Sequence, residues 1–178
     1  MQSGDSLPAE TPKDGKTRIL GLDPGLASTG WGVLEASADR VRYIAHGCIR
    51  TSSSDALEKR LLTIHLSLRE ILDTYMPNEG AMESLYFSKN VTSAISVAEA
   101  KGVLRLTCVL AGLTLTEYGP GAIKQALVGR GRAEKAQVQE FVRLVLGLSE
   151  IPRPDHSADA LAAAVCHAHS RWLRKVGP

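Results

Sequence analysis

The chain has 178 residues, 44% of them hydrophobic and 22% charged, with a formal net charge of +2. That length suits one domain with a real core, and the balance is that of an ordinary globular protein rather than a disordered or strongly basic one. No apolar run approaches the roughly 18–20 residues needed to span a bilayer, and the polar start lacks the apolar segment of a secretory signal.

Residues 1–16, with Pro8 and Pro12 among Gly4 and Gly15, are expected to be a disordered tail. Residues 17–178 are expected to form a single domain, since neither repeat nor linker divides them. Thr17–Leu22 is a short apolar strand stopped by Pro24 and Gly25. Trp31–Leu34 and Val41–Ile49 continue as strands of an antiparallel meander. From about Ser54 to Tyr75, Leu57, Leu61, Ile64, Leu68, Ile71 and Leu72 recur at helical spacing. Pro77 and Asn78 end that helix, and Gly80–Met82 opens a fourth strand.

Asn90–Ala111, rich in Ala, Gly and Ser, reads as a second long helix, and Leu113–Tyr118 as a fifth strand. A short helix over Pro120–Leu127 leads into the loop Gly129–Arg132. Glu134–Leu146 carries Val138, Phe141, Val142 and Val145 on one stripe, and a last helix runs from about Asp155 to Arg174. The order predicts an α/β protein: a five-stranded mixed sheet with helices on both faces, the ribonuclease H-like plan. Cys48, Cys108 and Cys166 are widely spaced with no CxxC pair, which points to buried thiols in a reducing, cytoplasmic setting.

Three short acidic pieces stand out. Asp23 and Glu83 each close an apolar strand, and His156 and Asp159 lie three residues apart where the last helix begins. Side chains at i and i+3 share a helix face, and Ala163 and Cys166 continue it, so that face is expected to pack closely on the sheet, with Leu161, Val165, Ala168 and Trp172 on the opposite side. Strand ends are where open α/β sheets gather their sites. Carboxylates brought together there repel one another unless a hard divalent cation compensates them, so the pattern reads as a metal-dependent site acting on phosphate. Taken singly the pieces are less telling: Asp-Pro-Gly is also a turn signal, Glu83 also a strand-end acid, and Asp155 or Ser157 also a helix cap. His156 fits a cap poorly, since a cationic ring is unfavourable at a helix N-terminus; a neutral imidazole suits that place better. Between Lys101 and Arg143 the chain is mildly basic, which by charge alone is more often a solvated surface than a binding face.

Leu22-Asp23-Pro24-Gly25 with Thr29-Gly30-Trp31-Gly32, Met82-Glu83 with Phe87-Ser88-Lys89-Asn90, Ala98–Arg105, Lys124–Gln139 and Asp155–Leu161 together resemble the RuvC family of Holliday junction resolvases. The resemblance runs in order from about Ile19 to Trp172. It implies a homodimeric, metal-dependent endonuclease that nicks two opposed strands of a four-way junction symmetrically. By position, the catalytic and metal-binding set would be Asp23, Glu83, His156 and Asp159, holding two divalent ions per subunit, Mg²⁺ or Mn²⁺. Lys124 and Lys135 match the family's basic positions. Tyr86 or its neighbour Phe87 would stack on a base at the junction centre, and Asn90, Arg130 and Arg132 would follow the DNA. The Ala-rich helix from Asn90 is the candidate dimer interface, and a branch-migration complex of the RuvA and RuvB type is the implied partner. Three other readings of the fold compete: an ATP-dependent member of the actin and sugar-kinase class, which needs two such domains; a ribonuclease H or other nuclease; and a catalytically inactive scaffold that binds DNA or partners.

Overall fold

The computed structural model of the chain describes residues 15–38, 40–84 and 91–176. Its five strands are β1 (Thr17–Asp23), β2 (Ser28–Ala36), β3 (Val41–Arg50), β4 (Glu79–Glu83) and β5 (Thr114–Tyr118). They form one sheet in the order β3-β2-β1-β4-β5. β1 runs antiparallel to β2 and parallel to β4, and β4 runs parallel to β5. The mixed sheet expected from the sequence is therefore present, and β1 is its central strand. Helices cover both its faces, which is why β1 reads as a continuous apolar run.

Alternation along the strands feeds two cores. Leu20, Leu22, Val33 and Met82 point to one side, against α1 (Leu57–Tyr75) and α2 (Val91–Leu110). Ile64, Leu68, Ile71 and Leu72 of α1 and Ala100, Leu104 and Cys108 of α2 close that core. Ile19, Leu34 and Ala81 point the other way, against α5 (Asp155–Val176), with α3 (Pro120–Val128) and α4 (Lys135–Val145) packed outside it. Among the described residues no helix is long and apolar enough to cross a membrane.

Several boundaries differ from the sequence reading for local reasons. β1 extends to Asp23, which pairs with Gly30 although Pro24 follows, so pairing on the β2 side continues through the acid. α1 begins at Leu57 rather than Ser54, because the Ser54 N–H and hydroxyl are engaged by the Ser52 hydroxyl in the preceding turn. Met76 ends α1 in the left-handed region (φ 44°), its N–H on the Leu72 carbonyl. Asn78 then accepts from the Arg18 N–H and donates to the Arg18 carbonyl, which docks the entry to β4 on β1. Glu134 lies outside α4 as its N-cap, in a capping box with Gln137.

The largest departure is in α5. The expected split between a small face on the sheet and a large face opposite is absent, because Ala160 to Ala168 are all buried. The helix is sandwiched between the sheet and α3–α4, so both its sides are interior. Close approach to the sheet comes from glycines in the strands. A Cβ on Gly21 would collide with the Ala160 carbonyl, one on Gly30 with the His156 carbonyl, and one on Gly32 with the Leu161 side chain.

Candidate metal centre

Each carboxylate is delivered by a backbone feature. Asp23 ends the central strand, and the turn after it is pinned by the Thr29 hydroxyl on the Gly25 carbonyl, 2.7 Å. Gly30, its partner across the ladder, lets the first turn of α5 settle directly above. That places the His156 Nδ1 2.7 Å from Asp23 Oδ2. Asp159, one turn along, joins them. One ligand atom from each of Asp23, His156 and Asp159 lies within 4.8 Å of the other two.

Glu83, at the end of the neighbouring strand, is not in that trio. With Asp159 it lines an adjoining cavity of about 270 Å³, completed by Pro120, Ile123, Lys124, Lys135, Val138 and Ala162. Of the four residues expected at the metal, the fold thus brings three into one cluster and sets the fourth on the wall beside it. Lys124 and Lys135, on α3 and α4, face the same cavity. Lys135 bonds Asp159 Oδ2 at 2.9 Å and lies 3.5 Å from Asp155. Asp155 also pairs with Arg153 at 2.7 Å, and the Ser157 hydroxyl donates to the Gly47 carbonyl, so their polar groups are spent on neighbouring segments.

The electrostatics are those of crowded acids. Burial, then the charges of Asp23 and Asp159, push Glu83 up to about 7 against the pull of Lys135 and Lys124. Burial raises Asp159 despite its bond to Lys135. Burial works against the Lys135 charge, yet Asp159 and Asp155 hold it above the usual lysine value. The hydrogen bond to the Asp23 carboxylate raises His156. That carboxylate, at hydrogen-bond distance, opposes the helix dipole, which favours the neutral ring.

The donor set fits a divalent cation. It offers carboxylate oxygens and one imidazole nitrogen converging on one point, and a buried Glu whose charge is disfavoured until a cation offsets it. Asp23, His156 and Asp159 can hold such an ion, and Glu83 stands on the cavity wall beside them.

Arg130 and Arg132 are exposed on the connection between α3 and α4, the two helices that carry Lys124 and Lys135. Gly129 ends α3 at φ 72°, a left-handed position suited to glycine, which turns the chain outward there. The mildly basic middle does not form one patch. Lys101 and Arg105 are both spent on Glu117, and Arg143 on Glu140. Tyr86, Phe87 and Asn90 lie outside the described residues. What the sequence reading overlooked was the role of Gly21 and Gly30 in seating α5, signalled by glycines inside strands, and the Asp155–Lys135 pairing, which no local pattern announces.

Comparison with known proteins finds relatives over most of the chain. The family described as Crossover junction endodeoxyribonuclease RuvC matches residues 19–167. The protein of that name from Heliobacterium modesticaldum is 49% identical over 152 residues, 85% of this chain and 94% of the relative. The structure of Thermus thermophilus RuvC in complex with a Holliday junction substrate superposes with a TM-score of 0.84 at 35% identity, covering 89% of this chain and 96% of that one. The yeast mitochondrial Holliday junction resolvase Ydc2, 13% identical with a TM-score of 0.66 over 90% of this chain and 81% of its own, shares the fold.

Proposed function

The chain belongs to the RuvC family of crossover junction endodeoxyribonucleases, and from that membership we propose that it resolves four-way (Holliday) DNA junctions by paired symmetric nicks, hydrolysing phosphodiester bonds with divalent metal. One observation carries the reading to chemistry: Asp23, His156 and Asp159 converge within 4.8 Å, beside Glu83, at the strand ends of a RuvC-like fold. An inactive scaffold has no use for three acids, Asp23, Glu83 and Asp159, whose mutual repulsion the fold has to bear.

Two divalent ions bound there, Mg²⁺ or Mn²⁺, would supply an activated water and stabilise the leaving 3′ oxygen. The side chains divide the remaining work. Asp23, Glu83 and Asp159 would supply carboxylate ligands to these ions. His156 would ligate through its ring nitrogen, or take a proton while Asp23 orients the ring. Lys135, once released from Asp159, and Lys124 are placed to meet phosphate charge over the cavity. Arg130 and Arg132 contact the DNA backbone outside it. Tyr86 or Phe87 stacks at the junction centre, with Asn90 nearby.

A second copy of the chain is the proposed occupant of the apolar surface on α1 and α2. There Ile95, Leu106, Val109 and Leu110 are 56–71% exposed, with Leu62 and Leu66 of α1 also exposed. These large side chains, rather than the small residues of α2, support the interface. The setting proposed is the cytoplasm, in keeping with three free cysteines, and a branch-migration complex of the RuvA and RuvB type is the proposed partner on the same junction.

The experiment is cleavage of a mobile synthetic four-way junction, wild type beside Asp23→Asn, with and without Mn²⁺. Paired symmetric nicks that need both the metal and Asp23 are expected. Tight junction binding without cleavage under any divalent metal would make the protein a scaffold.

A further inference from the structure

A second polar cluster lies about two turns beyond Asp159 along α5. His167 is 3% exposed, and both its ring nitrogens are bonded. Nε2 lies 2.7 Å from Glu79 Oε2 and Nδ1 2.9 Å from the Tyr118 hydroxyl. A ring that donates from Nε2 to the Glu79 carboxyl can accept the Tyr118 hydroxyl at Nδ1. Arg171, one turn on, donates Nε to Glu79 Oε1 at 3.0 Å. Two successive turns of α5 therefore grip the first residue of β4.

The same strand ends in Glu83. Glu79 and Glu83 lie on one face of β4, about 13 Å apart along the strand. Asp159 and His167 are about 12 Å apart along α5. The two carboxylates of the strand thus meet the helix at points separated by the same span, one at the metal cluster and one at His167. Tyr118 adds a second strut. It pairs with Glu83 in the β4–β5 ladder, its carbonyl accepts from the Ser84 N–H at 2.8 Å, and its hydroxyl reaches His167. His167 is tied both to the start of β4 and to the strand flanking Glu83.

From His156 to Ala164 the helix is seated sterically on the strand glycines. Beyond Ala164 the directional bonds of His167 add axial registration to that seating. A buried histidine held by partly exposed polar partners is a poor source of stability and a good source of register. We propose that Glu79, His167 and Tyr118 are positioning residues: they fix the axial setting of α5 and thereby the separation of Asp159 from Glu83. This rests on the reading of those acids as cation ligands.

The test is calorimetric titration of Mn²⁺ into the full chain without DNA, using wild type, Tyr118→Phe, His167→Gln and His167→Leu. Ile64→Val, which thins the core on the opposite face of the sheet, is the control for general softening, and cleavage and junction affinity are measured alongside. His167→Leu is expected to weaken Mn²⁺ binding about tenfold and lower kcat at unchanged junction affinity. Tyr118→Phe should do so to a smaller degree. His167→Gln, which can still donate to Glu79 and accept from Tyr118, should recover most of the loss. If His167→Leu does not fold, Tyr118→Phe decides. Variants that bind Mn²⁺ as tightly as wild type, or an equal loss in Ile64→Val, overturn the positioning role while leaving the metal site intact. If wild type takes up no more Mn²⁺ than Asp159→Asn, the metal reading falls and the positioning role with it.

Discussion

The His156 Nδ1 lies 2.7 Å from Asp23 Oδ2, joining groups 133 residues apart in sequence. The bond connects the end of the central strand to the first turn of α5, and it ties the charge of the acidic cluster to the protonation of one ring. Both groups border further acids, so the site as a whole prefers added positive charge, whether proton or cation.

A stability profile follows. Glu83 is raised from an ordinary carboxylate to about 7, so the folded chain holds a proton that the unfolded chain releases, and stability falls as pH rises from about 4.5 to 7. Asp159 is raised as well and acts in the same sense. His156, also raised, adds stability that is complete below its unfolded value near 6.5 and is lost as pH climbs through its higher folded value. In EDTA, lowering the pH from about 8 to about 6 should therefore stabilise the protein by on the order of 1 kcal/mol once solvent screening is discounted, or about 2–4 °C in Tm. Glu83→Gln should flatten much of that rise while abolishing cleavage. A Tm that is level or falls towards pH 6 would contradict this account of the site.

Much of this site was legible in the sequence because its parts sit at element ends. The apolar run before Asp23 and the breaker after it mark a buried strand and its terminus, and the His156–Asp159 spacing fixes a shared helix face wherever the helix packs. What periodicity could not give was the environment of α5. A helix buried on two sides has no outward stripe, so a split into small and large faces misassigned the side on the sheet. The contact of Tyr118, His167 and Glu79 was hidden for another reason: each looks unremarkable locally, and only the parallel β4–β5 pairing and the antiparallel course of α5 bring them together.

The imidazole in the donor set predicts metal preference. Nitrogen ligands favour transition metals over magnesium, so Mn²⁺ should support junction cleavage at least as well as Mg²⁺ and reach half-maximal rate at a lower concentration. His156→Asp should shift the balance towards Mg²⁺ by restoring an all-oxygen set. Cleavage rates across the two titrations check this; a clear Mg²⁺ preference in wild type would remove His156 from the ligand role.

The strand glycines predict an unusual sensitivity to one methyl group. Gly21→Ala drives a Cβ into the Ala160 carbonyl and to 3.0 Å from the Ala164 Cβ, and helix backbone cannot yield as a side-chain tip does. The expected cost is about 2–3 kcal/mol. Gly30→Ala presses on the His156 carbonyl, so its folded fraction should also bind Mn²⁺ more weakly. Gly121→Ala in α3 meets nothing within 4 Å and should gain about 0.5–1 kcal/mol from reduced unfolded-state entropy. Denaturant unfolding of the three variants separates steric seating from a general intolerance of alanine.

The exposed arginines between α3 and α4 predict a salt signature that the acidic cluster lacks. If Arg130 and Arg132 each neutralise one phosphate, each releases condensed counterions on binding. Arg130→Ala and Arg132→Ala should then each reduce the slope of log affinity against log salt by roughly 0.9, weakening junctions of every sequence alike. Neither side chain touches the cluster of Asp23, His156 and Asp159, so Mn²⁺ affinity without DNA should stay at the wild-type value. Asp159→Asn should behave in the opposite way, losing Mn²⁺ while keeping the salt slope. Junction binding measured by fluorescence anisotropy between about 50 and 200 mM salt distinguishes the two. An unchanged slope in both arginine variants would place the DNA path elsewhere, and the cavity lined by Lys124 and Lys135 would then have to receive the scissile strand from another side.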